Sequence, residues 1–177
     1  MKSHYSDPPK HQVSRRHTLS VLVDNEPGVL ARIAGLFSGR GYNIESLTVS
    51  ETEHQKHVSR ITVVTTGTGQ VIEQIIHQLE RLVPVHRVSD LTTHGAFVER
   101  ELALVKVVGT GDARREALRL AEAFGARTLD ATLTSFIFEI TGTSEEVERF
   151  LGILTEVGLV EVSRTGVAAM ARGAEAF

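Results

Sequence analysis

Apolar positions recur with a period of two in some stretches of the chain and of three to four in others, and the order of these stretches repeats. Residues 17–23 set Leu19, Val21 and Val23 on one side of an extended segment, which predicts a half-buried strand. Helical spacing follows at Val29, Leu30, Ile33, Leu36 and Phe37, one face of a helix. Gly39 and Gly41 are expected to close it, since glycine reaches the left-handed terminal conformation without steric cost. Strands are predicted over 44–50 and 58–65, around a polar loop at 51–57. Val71, Ile72, Ile75, Ile76, Leu79 and Leu82 mark a second helix, stopped by Pro84, and a strand over 85–91 ends the unit.

The same order returns in the second half. Strands are predicted over 101–108, 127–133, 136–141 and 159–164, with helices over 112–124 and 143–157. Asp112 is the expected cap of the first of these helices, and Thr143-Ser144-Glu145-Glu146 carries capping-box chemistry for the other. Val147, Phe150, Leu151, Leu154 and Val157 form its apolar stripe. The halves share architecture without matching residue by residue. In a βαββαβ unit two helices can cover one face of a four-stranded antiparallel sheet, leaving the other face to be buried against a partner. At least a homodimer is therefore expected. The division reads as a tail over 1–16, one domain over 17–92, a connector at 93–98 and a second domain over 99–177.

Composition narrows the function. The chain has 177 residues, 41% of them apolar, and a net charge of −3, which describes a globular protein with room for two small cores. Residues 1–95 carry 10 Lys and Arg against 9 Asp and Glu, and residues 96–177 carry 9 against 13, so neither half has the basic excess of a duplex-binding surface. The absence of cysteine excludes disulfides, thiolate metal sites and a cysteine nucleophile. No apolar stretch reaches membrane-spanning length and no secretion signal opens the chain, so a cytoplasmic location is expected.

The richest candidate chemistry lies in the turn from Asp24 to Leu30, between a strand and a helix. Asn25 offers a side-chain amide that can bind a ligand or cap the helix. Glu26 follows, and Pro27 pre-sets the backbone near the helix start. Gly28 carries no Cβ and admits close approach to the main chain, where the N–H groups of Gly28, Val29 and Leu30 can meet a small carboxylate. Taken alone, the same turn also reads as an ordinary helix start. Asn43 and Ile44, at the entry to the next strand, can finish a turn or face the turn of a neighbouring chain.

Other features read as structure. His54 and His57 share a loop without a third ligand at metal-site spacing, so no metal site is expected. The glycines of Thr66-Gly67-Thr68-Gly69 and Gly109-Thr110-Gly111 lack the lysine of a P-loop and the spacing of a dinucleotide fingerprint, and read as strand-to-helix turns. Glu145, Glu146 and Glu148 read as a solvated helix face. No nucleophile stands in a recognisable catalytic turn, so no catalytic residue is assigned.

Six blocks of the sequence resemble a known family. Leu-Ser-Val-Leu-Val-Asp-Asn-Glu-Pro-Gly-Val-Leu-Ala-Arg (19–32) and Leu-Phe-Ser-Gly-Arg-Gly-Tyr-Asn-Ile-Glu-Ser-Leu-Thr-Val (36–49) are the longest. Val-Ser-Arg-Ile-Thr (58–62), Leu-Val-Pro-Val-His-Arg-Val-Ser-Asp-Leu (82–91), Val-Glu-Arg-Glu-Leu-Ala-Leu-Val-Lys-Val (98–107) and Val-Ser-Arg-Thr-Gly-Val (162–167) follow in order. Residues 17–92 resemble an ACT domain, a small amino-acid-sensing module. From residue 17 to Arg172 the chain is similar to the regulatory small subunits of acetolactate synthase, also called acetohydroxyacid synthase.

The resemblance implies an α+β fold of two ferredoxin-like βαββαβ domains. It implies a catalytic large subunit as partner, itself carrying thiamine diphosphate, Mg²⁺ and FAD, with no cofactor on this chain. It further implies activation of that subunit and feedback inhibition by valine, or by leucine or isoleucine, bound between two ACT domains. By motif position Asn25, Gly28, Val29 and Leu30 belong to one side of the pocket and Asn43 and Ile44 to the other, with Glu26 and Pro27 shaping the loop. Position 31, alanine here, can hold a small hydroxyl in the family. A stand-alone amino-acid-responsive transcriptional regulator is the alternative, disfavoured because no segment reads as a helix-turn-helix.

Overall fold

The computed structural model describes residues 13–53 and 57–174. Its first unit comprises β1 (Arg15–Asp24), α1 (Val29–Gly39), β2 (Ser46–Glu53), β3 (Val58–Gly67), α2 (Gly69–Glu80) and β4 (Val85–Asp90). The second comprises β5 (Phe97–Val108), α3 (Gly111–Ala123), β6 (Arg127–Ala131), β7 (Ser135–Gly142), α4 (Ser144–Thr155) and β8 (Leu159–Arg164), followed by β9 (Ala168–Ala171). The sheets are antiparallel, in the orders β2-β3-β1-β4 and β6-β7-β5-β8, and β9 joins the second by pairing with β5. These are two ferredoxin-like units, as the alternation predicts. No helix among the described residues is long and apolar enough to cross a membrane.

Each core lies between a sheet and its two helices. Leu19, Val21 and Val23 of β1 are buried against Val29, Ile33 and Phe37 of α1 and Ile72, Ile75 and Leu79 of α2. In the second unit Val105, Phe138, Phe150 and Leu154 play the same part. Leu30, expected on the buried stripe, is 43% exposed, because the stripe narrows to every third or fourth residue at the helix start.

The end of α1 shows how local sequence fixes the chain path. Gly41, not Gly39, takes the left-handed conformation, with φ 70°. Its N–H donates to the Ser38 carbonyl at 3.2 Å and that of Tyr42 to the Phe37 carbonyl at 2.9 Å, a Schellman closure. The Tyr42 ring completes it edge-on to Phe37, with centroids 6.2 Å apart. This closure aims the chain at Asn43 and Ile44.

Several boundaries differ from the sequence expectation. Residues 1–12 lie outside the described residues, but Arg15 and Arg16, expected in the tail, already belong to β1. His54 also lies outside them. β5 begins at Phe97 and so takes two residues from the expected connector. Asp112 does not cap α3: the capping position is Thr110, without a side-chain bond, and Asp112 pairs with Arg115 one turn on. In α4 the capping box is present, with Thr143 and Glu146 exchanging bonds. The Thr143 backbone N–H holds the Glu146 carboxyl below its ordinary value of 4.5. That contribution is complete above the ordinary value and fades as pH falls through the depressed one.

The far face of the first sheet is covered by the chain itself. The ribbon of β9 and the start of β5 lies across it, burying Val64 and Leu91 against Val167, Ala169 and Phe97. Val167 is pinned to the edge strand β2: its N–H donates to Ser46 Oγ at 2.9 Å and its carbonyl accepts from Thr48 Oγ1 at 2.6 Å. Arg16 adds a polar clasp, donating to both Glu99 oxygens at 3.2 Å and to Ser144 Oγ at 2.9 Å. Gly166 makes the close approach possible, with φ 84° and an imagined Cβ 2.8 Å from Ser46 Oγ. Gly166→Ala is expected to lift this segment, costing about 1–3 kcal/mol. Hydrogen exchange at Val167–Ala169 measures it: faster exchange is the expected result, and unchanged protection contradicts it.

Candidate functional site

The turn after β1 is braced from both neighbouring loops. The Asp24 N–H donates to the Pro84 carbonyl at 2.8 Å, and the Asn25 N–H to the His57 carbonyl at 2.6 Å. Asp24 Oδ1 lies 2.6 Å from His86 Nε2 on β4, and Glu26 pairs with Arg32 at 3.5 Å. These contacts hold the backbone of the turn while the side chains of Asn25, Glu26 and Pro27 stay exposed. Asn25 does not cap α1. The capping position is Gly28, with φ 90° and ψ −9°, and no side chain bonds there.

The left-handed Gly28 shapes the array of donors. The Val29 N–H turns back to the Glu26 carbonyl at 3.4 Å, and the Val29 side chain sits in the core. The first regular helical bond is from Arg32 N–H to the Gly28 carbonyl at 3.0 Å. Among the described residues no acceptor takes the N–H groups of Gly28, Leu30 or Ala31. Three donors thus remain at the positive end of an 11-residue helix, on an exposed turn. Such an array suits a small carboxylate. Relative to the sequence expectation, Ala31 enters the donor set and the Val29 amide is partly spent inside the turn.

The second candidate segment is held as firmly. The Asn43 carbonyl accepts from Thr65 Oγ1 at 2.6 Å, which fixes its backbone and leaves its side chain exposed. Ile44 is half-buried against the first core. Within one chain these residues do not meet the turn. Asp24 pairs with Val58 at one end of the sheet, whereas Ser46 pairs with Val64, which pairs with Thr18, at the other. The six residue steps along β1 from Thr18 to Asp24 span about 20 Å. Helix α1 runs back over the same distance, carrying the chain from the turn to Asn43.

His57, Pro84 and His86, which brace the turn, were not legible in the sequence, because two act through backbone carbonyls that any residue supplies. The Ala31 donor was legible in principle, since every helix start leaves its first N–H groups without partners.

Comparison with known proteins places the chain. Residues 19–87 match the family model described as "AHAS small subunit-like ACT domain", and residues 100–173 match that of "Small subunit of acetolactate synthase". The probable acetolactate synthase small subunit of Archaeoglobus fulgidus is 46% identical over 158 residues, covering 89% of this chain and 98% of that one. The isozyme 3 small subunit of Salmonella typhimurium is 48% identical over 159 residues, covering 89% and 96%. The crystal structure of the small subunit from Thermotoga maritima superposes with a TM-score of 0.80 at 39% identity, over 91% of this chain and 99% of that one. The chain belongs to the acetolactate synthase small-subunit family.

Proposed function

We propose that the chain is a cytoplasmic regulatory subunit that activates a catalytic acetolactate synthase subunit and makes it sensitive to valine, with leucine or isoleucine as other possible effectors. The observation that carries this reading is the set of free N–H donors on Gly28, Leu30 and Ala31 beside an exposed Asn25. The effector's carboxylate meets these donors, its ammonium meets turn carbonyls and the Asn25 amide, and its side chain enters an apolar seam. The thiamine diphosphate, Mg²⁺ and FAD of the reaction belong to the catalytic subunit.

The pocket closes between two copies. The 20 Å between turn and Asn43 in one chain leaves the second half to a partner, which supports a homodimer through the first units. Among the described residues no strand pairs with the outer edge of β2, and Val49 upon it is 45% exposed, as an edge awaiting a neighbour would be. Effector binding then ties two copies together. Inhibition follows when that pair fits the less active form of the catalytic subunit better, by a coupling energy of about 1–3 kcal/mol. A ligand with equal affinity for both forms changes nothing.

Calorimetric titration of the isolated chain with valine, leucine and isoleucine tests the reading directly, and absence of heat with all three would end it. Asn43→Ala is the sharper probe. Valine affinity is expected to fall about tenfold, the worth of one charge-assisted bond, with no change in melting temperature. An unaltered titration removes Asn43 from the pocket.

A further inference from the structure

We propose that the groove between α1 and α2 receives an acidic segment of the catalytic subunit, an inference that rests on the regulatory role above and adds the surface through which it is exerted. The two helices lie on the face of the first sheet opposite the one covered by the second unit. Between them runs a groove of about 640 Å³, lined by Arg32, Gly35, Gly39, Arg40, Arg81 and Leu82 among others.

Arg32, Gly35, Leu36 and Gly39 form one stripe of α1, and two of the four are glycines. Glycine is a poor helix former, so two on one face call for a reason. Packing within the chain is not that reason: a Cβ at Gly35 or Gly39 would meet nothing within 4 Å. Their missing side chains instead leave the groove floor open to another backbone.

The charge names the occupant. Among the described residues the guanidinium groups of Arg40 and Arg81 form no ion pair, and Arg32 shares only Glu26, at 3.5 Å. In a chain of net charge −3 this is a local inversion of sign. Guanidinium forks match carboxylates in shape as well as charge. The Gln78 side-chain oxygen beside the groove is buried without a hydrogen-bond partner, a polar group that the chain itself leaves unsatisfied there. Val83, next to Leu82, is 95% exposed and offers an apolar contact at the rim. A second copy of this chain fits poorly, since it would bring the same arginines face to face. Helix α1 begins at the effector turn and ends in the groove, about 16 Å away. A ligand that shifts α1 therefore alters both places.

The test uses the full chain and the purified catalytic subunit. Arg40→Glu/Arg81→Glu is expected to weaken binding at least tenfold in interferometry, and to flatten the salt dependence seen with the parent chain. The valine titration and melting temperature of the variant are expected to match the parent's, which excludes misfolding. Arg149→Glu, on the exposed side of α4, is expected to leave affinity unchanged. Affinity within twofold of the parent overturns the proposal. So does an equal loss in Arg149→Glu, which would indicate diffuse attraction, or a change confined to self-association, which would put a second copy in the groove. Should the parent chain bind no catalytic subunit, the regulatory reading itself falls and takes this surface with it.

Discussion

Gly28→Asp is expected to abolish inhibition by valine while activation of the catalytic subunit survives. A Cβ at this position meets no protein atom within 4 Å, so the side chain finds room. The φ of 90° is uncomfortable for an L-residue, but aspartate is among the side chains that tolerate the left-handed region best. Its carboxylate would then lie beside the N–H groups of Gly28, Leu30 and Ala31, where the effector's own carboxylate is proposed to bind. Each charge-assisted bond contributes about 1.5–3 kcal/mol, so losing two lowers affinity by roughly a hundredfold or more. Gly28→Ala separates strain from charge. It carries the same backbone penalty without the carboxylate, and is expected to keep valine affinity within about tenfold of the parent. Titration of both variants, with assay of the reconstituted complex, measures the difference. Full valine inhibition in Gly28→Asp would remove this turn from the site.

The fold was legible in the sequence where periodicity is strong. Leu19, Val21 and Val23 alternate, Ile72, Ile75 and Leu79 keep helical spacing, and all six are buried as expected. What escaped the reading has a common cause: it depends on contacts distant in sequence. β9 spans four residues, Ala168–Ala171, too few to show a period, and it exists because the start of β5 pairs with it. Covering of the far face of the first sheet rests on Val167 and Ala169 meeting Val64 and Leu91, a relation no local pattern announces.

Half of the site was equally readable. A polar turn with glycine before an amphipathic helix marks donors at a helix start, and the structure finds them. Ala31 joins the set as any third residue of a helix does, whereas the left-handed φ at Gly28 is what turned the Val29 N–H back into the turn. The relation of Asn43 to the turn was beyond the sequence, because it depends on strand register. Ser46 sits level with Thr18 rather than Asp24, so the two halves of the proposed pocket stand at opposite ends of one sheet. That register makes a second copy necessary to the proposed pocket, and it sets α1 between the proposed effector turn and the proposed partner groove.

Gly158→Ala is expected to give the largest loss of stability of any glycine-to-alanine change in this chain. Gly158 lies between α4 and β8 with φ 105°, and a Cβ there would stand 2.1 Å from the Val108 carbonyl oxygen. Neither side can yield cheaply. The Val108 N–H donates to the Gly158 carbonyl at 2.9 Å, and the next N–H, of Gly109, is held by the Thr134 carbonyl at 2.9 Å. β5 is also paired on both sides, by β7 and β8. Relief therefore means breaking the end of a central strand, at about 3–5 kcal/mol, a large share of a typical domain's stability. Denaturant unfolding followed by circular dichroism measures it, and a midpoint indistinguishable from the parent's contradicts the steric argument. The variant also tests the division of labour between the units. The braces of the proposed effector turn, Pro84, His57 and His86, all belong to the first unit. Under conditions where the variant remains folded, valine affinity is expected to stay within about twofold of the parent's. A larger loss would mean that the second unit shapes the pocket through the clasp at Val167.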